Sequence, residues 1–350
     1  MVRGLELSRH GILQVAGRLG WGVADQAVSS LSNFALGLYV ARTFGAREFG
    51  AFSLAYLTYS VAINAARGLA TDPLLVRHSG AESARWRSAT AAASATALLV
   101  GITIGAVCVL AGLFLPAPVG PVFVALGVGL GGLMLQDSWR FAFFAVGRGA
   151  AALLNDLVWT VLLIVALVVL NGTGPNGSGG GSAAACLLAF GGTASLAAVF
   201  GAAQARLLPR PSQVPDWVRE HRQLSVRYLM ENVSITSATQ LRAFVLGGVT
   251  SLAAVGQVRA AELLMGPFLV ILMGVSQVAV PEASRVFHRA GGRLARFCVV
   301  IGGAQAAAAL AWGLGVLVVF PFGLGTLFLK GLWEPASDLL PGVILNVVAA

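Results

Sequence analysis

Charge is scarce in this 350-residue chain: 11% of its residues are charged and 57% are hydrophobic. A soluble domain carries about 25% charged residues. So few charges cannot cover the surface of a water-soluble protein of this length. Disorder is excluded for the same reason, since it needs low hydrophobicity and high charge. Cysteine is also rare. Cys108, Cys186 and Cys298 stand singly inside apolar runs with no CxxC pair, which indicates neither a disulfide framework nor a zinc site. Lys330 is the sole lysine. No HExxH, GxSxG or Walker A pattern is present. The Gly-rich stretch Asn171 to Gly181 has no Gly-Lys-Ser/Thr after it. The sequence therefore points to no enzyme, no metal site and no cofactor. Nor is a cleavable signal peptide evident, because Arg18 and Asp25 interrupt the first apolar stretch.

Long hydrophobic runs are plentiful. A membrane-spanning helix needs about 20 apolar residues. Runs at 12–42, 48–70, 89–115, 120–145, 150–170, 182–207, 225–248, 252–280, 296–320 and 338–350 meet or approach that length. They predict an all-α polytopic membrane protein with about ten transmembrane helices, because a barrel would show alternating segments of about ten residues. Pro209, Pro211 and Pro215 mark the longest polar connection, 208–222. The expected organisation is an N-terminal six-helix bundle at 1–207, a cytoplasmic linker at 208–222 and a C-terminal bundle at 223–350.

The net charge is +9. In a soluble protein that would suggest nucleic acid. Among apolar spans it reflects the positive-inside bias and anionic lipid. With the amino terminus inside, every basic residue except Arg42, Arg47, Arg242, Arg259 and Lys330 falls on the inner side. The four histidines do too. The expectation is a multi-pass cell-membrane protein with a cytoplasmic amino terminus, membrane lipid as a partner and no nucleic acid.

A shift of 206 residues places Asp25 on Glu231 and Gly50 on Gly256. Six expected spans separate the copies. Six is even, so the repeats are parallel, with a pseudo-twofold axis along the membrane normal. The expectation is two helical bundles around a central cavity, with the second bundle incomplete by two helices. The chain ends inside the apolar run Val347-Val348-Ala349-Ala350, as a truncated gene product would.

Ionisable groups inside a span cost roughly 2.5–3.5 kcal/mol each on insertion scales and normally face a bundle interior or a wet cavity. Asp25 shares a polar helical face with Gly22, Ser29 and Asn33. Glu231, Ser234 and Arg242 share another, and Ser234, Thr236, Ser237, Thr239 and Gln240 make that helix too polar for lipid. Arg259 and Glu262 are neighbours at i, i+3. Asp25, Ser29, Asn33, Glu231, Arg242, Arg259 and Glu262 are the candidate cavity residues, with Arg242 and Arg259 as the anion contacts. A plain structural ion pair is the alternative for Asp137/Arg140 and for Arg259/Glu262. Asp156 is expected to snorkel to the inner interface.

One stretch is more specific than apolar helices are. Ala24-Asp25-Gln26-Ala27-Val28-Ser29-Ser30-Leu31-Ser32-Asn33-Phe34 leads into Ala41-Arg42-Thr43-Phe44-Gly45-Ala46-Arg47-Glu48-Phe49-Gly50, and Asp72-Pro73-Leu74-Leu75-Val76-Arg77-His78 follows. This resembles the amino-terminal part of bacterial polysaccharide exporters, the O-antigen flippase-like branch of the multidrug/oligosaccharidyl-lipid/polysaccharide (MOP) superfamily. The resemblance implies a flippase for undecaprenyl-diphosphate-linked glycans, working by alternating access. Asp25 and Glu231 are candidates to bind a coupling proton or sodium ion, or else to balance the arginines. Members have twelve or more helices, so the missing carboxyl-terminal pair is a departure. The competing expectations are a cation-coupled multidrug antiporter of the same superfamily, a membrane enzyme of glycan assembly, and a non-transporting membrane component.

Overall fold

The computed structural model describes residues 9–80, 83–172, 181–269 and 294–349. Every regular element among them is helical. In chain order these are α1 (Arg9–Thr43), α2 (Ala46–Ala66), a π-helical turn (Arg67–Thr71), α3 (Asp72–His78), α4 (Ala84–Phe114), α5 (Val119–Ala145), α6 (Gly149–Gly172) and α7 (Ala183–Ala205). There follow α8 (Val214–Val249), α9 (Leu252–Leu269), α10 (Leu294–Val319), α11 (Leu324–Leu329) and α12 (Trp333–Ala349). The expected all-α architecture is present. The Gly-rich loop 173–180 and the second part of the 252–280 span lie outside the described residues.

Seven described helices are long and apolar enough to cross a membrane. Leu99, Ile102, Val107, Leu110 and Leu113 on α4 are exposed, as are Val161, Ile164, Val165 and Val168 on α6. Water does not tolerate apolar faces of that extent, so they are lipid-facing and the protein is multi-pass. Helices α1, α8 and α12 occupy three of the ten expected spans without meeting that test. The first two are too polar, and α12 has 17 described residues.

The chain forms two compact units. Unit 1 comprises Met1–Ser29 and Leu54–Val245; unit 2 comprises Ser30–Ser53 and Leu246–Ala350. Helices α1, α2 and α8 each contribute to both.

Unit 1 is centred on α5. Its neighbours approach closely because small residues meet: a Cβ on Gly129 of α5 would lie 2.7 Å from the Gly191 Cα of α7, and Gly105 of α4 abuts Gly127 of α5. Small residues let helix backbones touch, which drives helix association in lipid. Ser83 caps α4 by accepting from Trp86 N at 3.2 Å, and Ser182 caps α7 by accepting from Ala185 N at 3.2 Å. Such caps satisfy orphan N–H groups of the first turn.

The α2 segment was expected to stop near residue 70. It runs on through a π turn into α3, and Pro73 explains the form. Proline has no N–H to donate to Leu69, four residues back. The freed Leu69 carbonyl accepts instead from Trp217 Nε1 at 3.2 Å and Ser225 Oγ at 3.4 Å, both on α8. The Asp72 N–H bonds back to Arg67 O, closing the wider turn. Helix α8 thus begins at Val214, inside the stretch expected as a linker. Its first turns bury Trp217, His221 and Ser225. Gly68 admits the α8 backbone, since a Cβ there would lie 2.7 Å from Leu229 N.

In unit 2 the α1–α2 corner packs on α9 through Gly50 and Gly256. A Cβ on Gly50 would collide with Leu252 O, and a Cβ on Gly256 with Ala46 O. Shifting Ala46 and Gly50 by 206 gives Leu252 and Gly256. The contact is therefore reciprocal under the sequence repeat, as contacts around a twofold are.

Candidate functional site

The strongest concentration of buried charge lies within unit 1. Asp25 on α1 is fully buried, and Asp156 on α6 is 1% exposed. Asp137 and Arg140 on α5 are also buried. The π turn brings in Arg67, whose Nε and Nη2 each donate to Asp137 carboxylate oxygens at 2.8 Å. Two parallel bonds of this kind are strong and directional. Arg67 also lies over the Phe141 ring, 4.9 Å from its centroid. π turns inside helices recur at functional positions; here the turn aims a guanidinium at α5.

Arg140 is shared. Its Nε donates to Asp25 Oδ2 and lies 3.5 Å from Asp156 Oδ2. Its Nη2 donates to Gln26 Oε1 at 3.3 Å. The i, i+3 partner Asp137 is 3.9 Å away. Arg140 thus ties α1, α5 and α6 together, and the local Asp137/Arg140 pair is the weakest of its contacts. Gln136 Nε2 donates to Asp156 Oδ1 at 2.7 Å and to Asn155 Oδ1 at 3.1 Å. Asn155 Nδ2 in turn donates to Ala197 O at 2.9 Å and Gln204 Oε1 at 3.3 Å on α7.

The charge tally is uneven. Three carboxylates (Asp25, Asp137, Asp156) face two guanidiniums (Arg67, Arg140). With all ionised, these five described groups carry a negative excess, and Asp72, within electrostatic reach of Arg67, adds to it. Asp25 Oδ1 and Asp156 Oδ2 accept no hydrogen bond, though both are buried. Buried carboxylate oxygens without donors are costly. Such a cluster is relieved by one proton or one monovalent cation. Among the described residues no group of three or more His, Cys, Asp or Glu is placed to hold a metal ion.

The sequence candidates are placed as follows. Asp25 and Ser29 are buried, and Asn33 is half-buried with its Oδ1 lacking a hydrogen-bond partner. Glu231 and Arg242 on α8 are exposed. Beside Glu231, Asn232 Nδ2 donates to Asp72 Oδ2 at 2.8 Å. The side chains of residues 235–239, and with them Thr236, Ser237 and Thr239, lie outside the described residues. In unit 2, Arg259 Nη1 contacts Glu262 Oε2 at 3.1 Å, with both side chains partly exposed. The pair lines a cavity of about 380 Å³ with Met265, Leu269, Val343 and Asn346. Asp156 corrects an expectation: it does not snorkel but sits at the centre of the cluster, because Gln136 and Arg140 meet it there. Arg67, Gln136, Asn155 and Gln204 were not singled out from the sequence. The signal for Arg67 was its position six residues before Pro73, on a helix that proline must distort.

No family model matches the sequence, and no curated protein matches it. Solved structures do match in fold. One is described as the inward-facing conformation of a multidrug resistance MATE family transporter of the MOP superfamily; it is 15% identical, with a TM-score of 0.61 over 91% of this chain and 78% of that one. The outward-facing conformation of such a transporter gives a TM-score of 0.58 at 15% identity, over 96% and 79%. A MOP superfamily transporter from Pyrococcus furiosus, described as having a binding pocket of reverse polarity that suggests a different function, gives 0.53 at 16% identity, over 96% and 79%. At such identities the likeness establishes the MATE-like helical fold.

Proposed function

We propose that the chain is an alternating-access transporter of the MOP superfamily. Its cargo is a lipid-linked, diphosphate-bearing glycan precursor, moved across the cytoplasmic membrane and coupled to a proton held by the Asp25–Arg140–Asp156 cluster. The observation that carries the coupling is the excess of buried carboxylates over guanidiniums among the described residues of α1, α5, α6 and the π turn. Arg140 has two carboxylates to serve. A proton on Asp156 leaves Arg140 to Asp25 and holds α1. A proton on Asp25 leaves Arg140 to Asp156 on α6 and releases α1. A bound proton therefore biases a helix that contributes to both compact units, and differential binding of this kind is what shifts a conformational equilibrium.

The repeat supports the same reading. The reciprocal contact of Gly50 with Leu252 and Gly256 with Ala46 fits two parallel bundles, 1–207 and 223–350, related by a pseudo-twofold. The cargo assignment rests on the resemblance of residues 24–78 and on Arg242 and Arg259, which suit a diphosphate because guanidinium groups bind phosphate oxygens in pairs. Glu262 pairs with Arg259, so cargo must compete with it.

A second reading is a proton-coupled exporter of cationic drugs. The acidic excess of the cluster and the likeness to multidrug transporters favour it. Proteoliposomes separate the two. With an imposed pH gradient, a fluorescent undecaprenyl-diphosphate glycan is expected to cross and a cationic dye to stay. Substitution of both Arg242→Gln and Arg259→Gln is expected to stop glycan movement with insertion intact. Dye movement without glycan movement would establish the second reading instead.

A further inference from the structure

Outside the charge cluster, a groove of about 910 Å³ lies on unit 1, between the start of α4, the end of α7 and the strap that follows α7. Its walls include Leu135, Val199, Ala203 and Leu208, and its mouth carries Arg87, Arg206 and Arg210. No lining residue is acidic. Val199 and Leu208 are 69% and 73% exposed. The strap exists because Arg206 adopts a left-handed backbone (φ 51°), ending α7 and turning the chain across α4, where Arg210 N–H bonds to Ala91 O at 2.9 Å. Arg87 Nη2 donates to the Arg206 carbonyl at 2.9 Å, tying the mouth together. Neither the Arg206 nor the Arg210 side chain enters an ion pair among the described residues.

The groove has a direction. Val199 lies seven residues before Arg206 on α7, about 10 Å along the axis. The basic mouth is thus at the helix ends and the apolar floor lies deeper along the helices. The positive end of the α4 dipole at Ala84 and the negative end of the α7 dipole at Ala205 meet at this mouth and offset each other, so the arginines set its charge. A charged head at the interface and an apolar channel running inward match one class of molecule.

We propose that this groove binds an anionic phospholipid, with its phosphate among Arg87, Arg206 and Arg210 and one acyl chain along Leu135, Val199 and Leu208. Basic pockets between membrane helices bind anionic headgroups in this way. The site does not depend on the cargo or on the coupling proton.

Native mass spectrometry of the detergent-purified chain, titrated with phosphatidylglycerol, tests it. Phosphatidylcholine and inorganic phosphate are the other arms, and size-exclusion profiles check folding. Phosphatidylglycerol is expected to bind well ahead of phosphatidylcholine, and inorganic phosphate at millimolar concentration is expected not to displace it. Arg206→Gln with Arg210→Gln should weaken binding by about 25-fold, roughly fivefold per surface charge. Ala203→Trp keeps all three arginines and fills the channel, and should also abolish binding. Equal retention of the two lipids, displacement by inorganic phosphate, or undiminished binding in Ala203→Trp would each overturn the proposal.

Discussion

Arg140 decides whether the buried cluster holds together. Removing it leaves Asp25, Asp137 and Asp156 buried with only Arg67. Stranding a buried charge typically costs about 3–5 kcal/mol, so Arg140→Met should lower the thermal unfolding midpoint in detergent markedly. Asp156→Asn is the opposite case. It removes one buried carboxylate charge, and its amide oxygen can still accept from Gln136 Nε2. It should unfold no earlier than the parent at neutral pH, yet lose the response of transport to a pH gradient. Equal destabilisation by the two substitutions would contradict the charge tally. Asp25 was legible in the sequence because a carboxylate in a polar helical stripe must face inward. Asp156 was misplaced because one-dimensional hydropathy cannot tell a carboxylate near a span's end from one that meets an arginine. Gln136, Asn155 and Gln204 carry no charge to flag them; only the folded arrangement of α5, α6 and α7 joins them to the cluster.

At the scale of elements, the π turn and the glycine contacts do the positioning. Pro73→Ala restores an N–H four residues after Leu69, and that N–H competes with Trp217 and Ser225 for the same carbonyl. Helix α8 should then loosen at its start. Hydrogen–deuterium exchange of residues 214–225 should quicken while exchange in α4 and α5 stays unchanged. Gly129→Leu drives a side chain into the Gly191 backbone. Overpacking of this kind costs about 1–3 kcal/mol, occasionally more, so the variant should show a lower midpoint. Leucine at the open Gly192 position, where no atom stands within 4 Å of a Cβ, should leave the midpoint near that of the parent. Helix existence was readable from hydrophobic runs. The continuation of α2 through residues 67–78 was not, since a proline in sequence reads as a stop and only α8 supplies the donors that satisfy its neighbour.

For the whole molecule, the contact at Gly50 and Gly256 joins residues that a 206-residue shift pairs in the sequence. If that seam forms in one conformation and parts in another, bulk at either glycine disfavours the closed form. Gly50→Val and Gly256→Val should each cut transport at normal expression. The double variant should lose little more than either single one, because residues sharing one contact are not additive. Independent, multiplicative losses would argue that the two glycines serve separate contacts. The pairing of Gly50 with Gly256 was visible as a 206-residue shift; that they also touch was not, since a repeat gives equivalence without proximity.

The sequence alone settled the class of this protein: with 11% charge and ten long apolar runs, backbone hydrogen bonding in lipid leaves little choice but packed helices. It also marked Asp25 as a residue that faces a bundle interior or a wet cavity. Which partner meets it was a tertiary matter. Arg140 lies 115 positions away and Arg67 reaches Asp137 across 70, and hydropathy is local while Coulomb pairing depends on distance in space. The excess negative charge, the arginine-mouthed groove and the glycine seam all arise from such long-range meetings, so folding had to assemble them before they could be read.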